Sequence, residues 1–235
     1  MINPGDVISY IEMCKEEGVN LQRGMNFRLR KDYSVILMSL RPGAPYADRI
    51  EDNGRILIYE GHDIPKRKRD EDPKSIDQPE VIPLGSLTQN GLFLKAVREY
   101  KEGSSSAELV KVYEKIHSGI WVFNGLFKLV DAWQEESNGR KVFKFRLEIL
   151  LEILDEDFEY RHSVDKDLDH NRLIPSSVKL VVWKRDKGKC VKCSSGDNLH
   201  FDHIIPYSKG GSSLVAENIQ LLCARHNLEK RDRII

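Results

Sequence analysis

The sequence predicts an α+β chain in two parts, a curled β-sheet or barrel flanked by helices and a small metal-stapled module behind it. Three observations carry this reading. Short apolar runs recur between turn signals from Tyr33 to Leu151. A stretch dense in charge and poor in large apolar residues, 155–169, then interrupts the pattern. Three of the four cysteines crowd into the last 46 residues.

Ile8–Glu17 reads as a short helix stopped by Gly18. Tyr33–Leu40 (YSVILMSL) reads as a buried strand, and Arg55–Tyr59 (RILIY) as another, bounded by Asn53-Gly54 and Gly61. Leu92–Tyr100 has helical character. Lys111–Ile116, Ile120–Phe123, Leu126–Trp133 and Val142–Leu151 read as strands, with Ser118-Gly119, Asn124-Gly125 and Asn138-Gly139 as the turns between them. Strands this frequent predict a curled sheet or barrel. Residues 155–175 read as a linker closed by Pro175, dividing the chain into 1–154 and 176–235. Ser177–Lys187 follows as a helix, with Gly188 as its stop. No internal repeat is present. The charge run Pro65–Asp72 (PKRKRDED) reads as a solvated loop or as a loop that meets phosphates.

Length and composition fit one large or two smaller globular domains: 235 residues, 40% hydrophobic and 31% charged. No apolar run approaches the roughly 18 residues a membrane helix needs. Met1–Tyr10 lacks the basic and apolar regions of a signal peptide, so a cytoplasmic, reducing location is expected. There, clustered cysteines favour metal over disulfide. The formal net charge of zero hides an asymmetry. From Arg172 onward 12 Lys and Arg face 6 Asp and Glu, leaving +6, and the rest of the chain carries −6. A basic module can bind phosphate even when the whole chain is neutral.

Cys190 and Cys193 form a C-x2-C knuckle, and Cys223 and His226 a C-x2-H pair thirty residues on. A two-residue gap lets both side chains of a pair reach one ion from a tight turn. Four soft or borderline ligands favour tetrahedral Zn²⁺ with no open position, a structural site. Such a site would stabilise a segment of about 60 residues that is too small to rely on its apolar core.

Between the pairs stand LHFDHIIPYSKGG (Leu199–Gly211) and ENIQLL (Glu217–Leu222), and after them NLEK (Asn227–Lys230). In order and spacing this segment resembles the HNH nuclease family, also called ββα-metal nucleases. The resemblance implies phosphodiester hydrolysis. His203 would take a proton from water, since an imidazole pKa near ~6.5 suits a base at neutral pH. Asn218 would accept the Nδ1–H of His203. Asp202 and Asn227 would hold a hard divalent ion, Mg²⁺ or Mn²⁺. Lys230, near one helical turn after Asn227, would contact the phosphate. His226 stands where cysteine is commoner and can also be read as the last catalytic ligand; the zinc reading leaves Asn227 in the usual catalytic position. His200 is read as structural or DNA-contacting. His62, His117, His162 and His170 have no matching constellation.

The first half, from about Tyr33 to Ile149, resembles the SRA or YDG domain, a PUA-like barrel that binds modified cytosine in DNA. Its order is YSVILMSLRPGAPYAD, GRILIYEGHD, QNGLFLKA, VKVYEKIHSGIWVFNGLFKLVDAW and VFKFRLEIL. The Tyr-Asp-Gly that names the family is Phe123-Asn124-Gly125 here. The resemblance implies a flipped base held between aromatic rings, with Tyr46 and Tyr59 at the sandwiching positions and Asp48 accepting from the cytosine edge. Read without it, Tyr59 is a core aromatic and Asp48 a turn residue. Together the halves resemble modification-dependent restriction endonucleases. The expected partner is double-stranded DNA carrying 5-methylcytosine or 5-hydroxymethylcytosine, cut by a homodimer because one HNH site cuts one strand. Two other readings stay open: a non-cleaving reader with a zinc-stabilised arm, and a nuclease that reads another modification or a sequence.

Overall fold

The computed structural model describes residues 2–30, 32–65, 72–150 and 173–234. Most of the charge run, the expected linker before residue 173, His162 and His170 lie outside the described residues. In chain order the elements are β1 (Val7–Ser9), α1 (Tyr10–Glu17), β2 (Met25–Arg30), β3 (Tyr33–Met38), β4 (Arg49–Glu51), β5 (Ile56–Glu60), α2 (Gln89–Lys101), β6 (Glu108–His117), β7 (Ile120–Ser137), β8 (Arg140–Ile149), α3 (Ser176–Arg185), β9 (Leu199–His203), β10 (Ile219–Cys223) and α4 (Ala224–Lys230). The fold is mixed α+β. No helix among the described residues is long and apolar enough to cross a membrane.

The large sheet runs β2-β3-β6-β7-β8-β5-β4, with β1 paired to the start of β7. Its pairs are antiparallel except β3 with β6, which are parallel and joined through α2. One face packs Ile36, Leu57, Val112, Phe127, Phe145 and Leu147 against Phe93 and Val97 of α2. The other face packs Val35, Tyr113 and Phe123 against Met13 of α1. Each such side chain contributes roughly 1.5–3 kcal/mol through burial.

Helix α1 begins later than the apolar pattern alone indicates. Ser9 caps it through a reciprocal box with Glu12, so Val7–Ser9 is left to pair with β7. Its end is fixed by Gly18 in the left-handed region and by Glu17, which is buried and accepts from Tyr113 (2.5 Å), Tyr33 (2.9 Å) and Lys111 (3.0 Å).

The Asn124-Gly125 turn expected between two strands is not a turn. Ile120–Ser137 is one strand, and its pairing with β6 shifts register there: Val112 faces Gly125, Tyr113 faces Phe123, and Asn124 is the extra residue. This is a β-bulge, in which Gly125 adopts φ +108°, a left-handed value that favours glycine.

The C-terminal module is a hairpin of β9 and β10 between α3 and α4. Its core of Val178, Val182, Leu199, Phe201, Ile219 and Leu221 is continuous with Ile116 and Val122 of the large sheet. Two polar contacts reinforce this junction. Lys179 of α3 donates to Asn124 Oδ1 (2.6 Å) and pairs with Glu114 (3.2 Å), all three buried. Asp6 meets His200 Nδ1 at 2.8 Å. The module is therefore seated on the sheet, whatever path the residues before 173 take.

Candidate active site and metal centre

Cys190 and Cys193 sit on a tight turn closed by Ser194 N–H donating to the Cys190 carbonyl (2.8 Å). Cys223 ends β10, and His226 lies on the first turn of α4. Their four ligand atoms lie within 4.8 Å of one another. Cys193 and Cys223 sulfurs are 3.8 Å apart, Cys190 sulfur and His226 Nδ1 3.3 Å, and Cys223 sulfur and His226 Nδ1 3.5 Å. A tetrahedral ion with metal–sulfur bonds of ~2.3 Å has edges of about 3.8 Å. The separations thus fit the edges of one metal tetrahedron. Burial opposes ionisation of the Cys190 thiol. Donors led by the Cys223 backbone and the His226 side chain outweigh it and bring the pKa down to about 6, so the thiolate is available at neutral pH. His226 stands with the three cysteines in this cluster, as the zinc reading expects.

Asp202 and His203 end β9, and Asn227 lies one residue beyond His226 on α4. All three line one cleft of about 520 Å³, whose opposite wall is Asn3, Gly5, Asp6, Asn124 and Lys179. Asp202, His203 and Asn227 therefore border a common space, and a carboxylate and an amide are oxygen donors of the kind a hard cation takes. His203 Nε2 lies 2.8 Å from the Ser213 hydroxyl. His200 lines the same cleft and binds Asp6, a tie to the N-terminal segment.

Two expectations need correcting. The described hydrogen bonds of the Asn218 side chain run to the loop after β9 rather than to His203. Its Oδ1 accepts from Ile205 N–H (2.8 Å), and its Nδ2 donates to the carbonyls of Ile205 (3.1 Å) and Ser212 (3.0 Å). The amide faces the β9–β10 loop and ties its start at Ile205 and its middle at Ser212 to its end. Gly211 lies in the same loop, where a Cβ would come within 1.8 Å of the Ile205 carbonyl oxygen. Lys230 is not placed to meet a phosphate. Its side chain is 1% exposed and pairs with Asp202 Oδ2 at 3.1 Å. Ser213, Gln220 and Lys179 were not singled out from the sequence. A signal existed for Gln220, a lone polar residue in the apolar run IQLLC.

Tyr46, Asp48 and Tyr59 share one neighbourhood but do not form an open sandwich. Tyr59 is fully buried, with its hydroxyl near Leu37 carbonyl and His62 Nε2, both at 3.5 Å. Gly24 makes room for it: a Cβ there would fall 2.7 Å from the phenol oxygen. Among the described residues Tyr46 stacks on His62 (centroids 5.8 Å, 17°) rather than on Tyr59, and Lys74 lies 3.9 Å over its ring. His62, assigned no role from sequence, thus belongs to this cluster. Burial pushes its pKa down to about 4. Asp48 accepts from Glu60 N–H (3.0 Å) and Ser39 N–H (3.2 Å), yet burial pushes its pKa up to about 7. Below lies a buried charge network in which Glu60 pairs with Lys144 (2.9 Å) and Arg140 with Asp63 (2.6 Å). A cavity of about 800 Å³ opens beside His62 and Asp63, lined also by Arg23, Pro79 and Gln89 but by none of the three expected base-binding residues.

An imidazole, a carboxylate and an amide on one cleft, beside a separate cluster of three cysteines and a histidine, are the side-chain types a metal-assisted hydrolase uses. Residues 190–233 match the HNH endonuclease family model, so this module is an HNH endonuclease. No curated protein matches the chain. Among solved structures the chain is similar to the SUVH5 SRA domain in complex with methylated CHH DNA (21% identity, 63% of this chain and 89% of that one, TM-score 0.44). It is similar also to the modification-dependent TagI restriction endonuclease (19% identity, 97% of this chain and 76% of that one, TM-score 0.40). A third similar structure is Arabidopsis thaliana SUVH6 in complex with SAM (19% identity, 63% and 25%, TM-score 0.37).

Proposed function

We propose that the chain is a metal-dependent DNA endonuclease that recognises 5-methylcytosine or 5-hydroxymethylcytosine by base flipping, hydrolyses phosphodiester bonds nearby and so restricts modified foreign DNA in the cytoplasm. The observation that carries this is the convergence of Asp202, His203 and Asn227 on one cleft in a segment matching the HNH family. In this reading residues 1–154 are the reader and 176–235 the nuclease. Zn²⁺ occupies the Cys190, Cys193, Cys223 and His226 cluster. Mg²⁺ or Mn²⁺ held by Asp202 and Asn227 would stabilise charge on the scissile phosphate and the leaving oxygen. His203 takes the proton of the attacking water, and Asn218 fixes the loop that follows it. The reader assignment rests on the resemblance over 33–149 and on the clustering of Tyr46, Asp48 and Tyr59. For a base to enter, the stack of Tyr46 on His62 must open. A double-strand break needs two active sites, hence a homodimer.

His203→Ala tests the enzyme reading. Nicking of a 5-methylcytosine plasmid with Mg²⁺ or Mn²⁺ is expected to fall at least ~10²-fold, the usual contribution of a general base, with DNA binding retained. Cleavage at the wild-type rate would refute the base assignment.

A further inference from the structure

Asp202 is gripped from one side only. Its Oδ2 receives both Lys230 Nζ (3.1 Å) and Gln220 Nε2 (3.2 Å), and its Oδ1 has no partner among the described residues. Asp202 lines the cleft, whereas Lys230 and Gln220 do not. Regular structure delivers both: Gln220 stands opposite Asp202 in the β9–β10 register, and Lys230 is the last residue of α4.

This sets the charge that Asp202 and Lys230 together bring to the proposed cation site. A buried ammonium is stable only beside its carboxylate, so Asp202 and Lys230 sum to zero. Asn227 adds an oxygen without charge. A divalent ion at Oδ1 would share one carboxylate with the ammonium and be repelled by it, and repulsion is strong where water is scarce. A DNA phosphate brings the missing negative charge.

We propose that Lys230 is a resident counter-cation that aims Asp202 into the cleft and keeps divalent-cation affinity low until a phosphodiester enters. This rests on the proposed cation role of Asp202. Lys230 is then a positioning residue, and Gln220 assists it without charge.

The test is Mn²⁺ binding to the zinc-loaded full chain without DNA, read from the electron paramagnetic resonance signal of free Mn²⁺. Lys230→Gln keeps a donor and removes the charge, and should tighten binding roughly tenfold or more. Lys230→Arg should bind as the wild type does. Gln220→Leu, which removes a hydrogen bond but no charge, should not tighten it. The double variant K230Q/D202N should return to background. Unchanged or weaker binding by Lys230→Gln, with Asp202 still required, overturns the counter-cation role alone. Binding that survives the loss of Asp202 overturns the cation role beneath it. Should Lys230→Gln lose its thermal transition, Lys230→Met fills the same space and carries the same expectation. An arm without substitutions adds a short DNA duplex to the wild type and subtracts Mn²⁺ held by duplex alone. Affinity should rise roughly tenfold, and no rise overturns the proposal.

Discussion

Two half-buried residues of the proposed base pocket titrate in opposite senses. Asp48, raised by burial to about 7, keeps a proton in the folded state that the unfolded chain has already released. Its contribution to stability is full below the usual carboxylate range and is lost as pH rises through about 7. His62, lowered by burial to about 4, contributes stability above the ordinary imidazole range that is lost as pH falls toward 4. Asp48→Asn removes the first effect and leaves the second. Denaturant melts from pH 4 to 8 should show the wild type losing stability relative to Asp48→Asn as pH rises through 7, by an order of 1 kcal/mol or more. Parallel curves would mean that Asp48 is ionised throughout. The four cluster residues were legible from the spacing of two short pairs, and the resemblance to the HNH family pointed to Asp202, His203 and Asn227, which border one cleft. Sequence reasoning misjudged Asn218 and Lys230, whose partners are set by how a loop and a helix end fold back, and spacing carries no such information.

At the scale of elements, the β9–β10 hairpin and α4 hold Cys223 and His226 of the cluster together with Asp202, His203 and Asn227, and the turn before β9 brings Cys190 and Cys193. The cluster joins the end of β10 to the first turn of α4, one residue before Asn227. Cys193→Ser, or exhaustive chelation, should unfold this hairpin–helix unit, because structural zinc supplies folding free energy to small modules. Limited proteolysis should then cut within residues 190–233, and metal-dependent nicking should vanish. A protected, active Cys193→Ser chain would remove the structural role from the cluster. Elements of the large sheet were legible where apolar runs meet glycine turns, as in β3, β5 and β8. Asn124-Gly125 carried the same signature yet forms a bulge inside β7, since local composition does not separate a hairpin turn from an extra residue within a continuing ladder. Strand β2 was missed because MNFRLR interleaves charge with its apolar residues.

For the whole molecule, the junction between sheet and module matters most. The apolar core is continuous across it, and the bulged Asn124 turns its amide to Lys179 and Glu114 there. The same Asn124 and Lys179 line the cleft of Asp202, His203 and Asn227, so the large sheet and α3 both contribute to that space. Lys179→Met strands Glu114 as a buried unpaired charge, which costs on the order of 3–5 kcal/mol. Calorimetry should register that loss, and mapped cut positions should spread, because a seated module fixes the reach from recognised base to cleaved bond. Unchanged stability with a sharp cut position would deny the junction this role. The central claim, modification-directed cleavage by this cleft, is tested most directly by digesting matched duplexes carrying cytosine, 5-methylcytosine, 5-hydroxymethylcytosine or its glucosylated form, with and without divalent metal. Cleavage confined to methylated or hydroxymethylated duplexes and dependent on Mg²⁺ or Mn²⁺ is expected. Equal cutting of unmodified DNA, or none of any substrate with metal present, would contradict it.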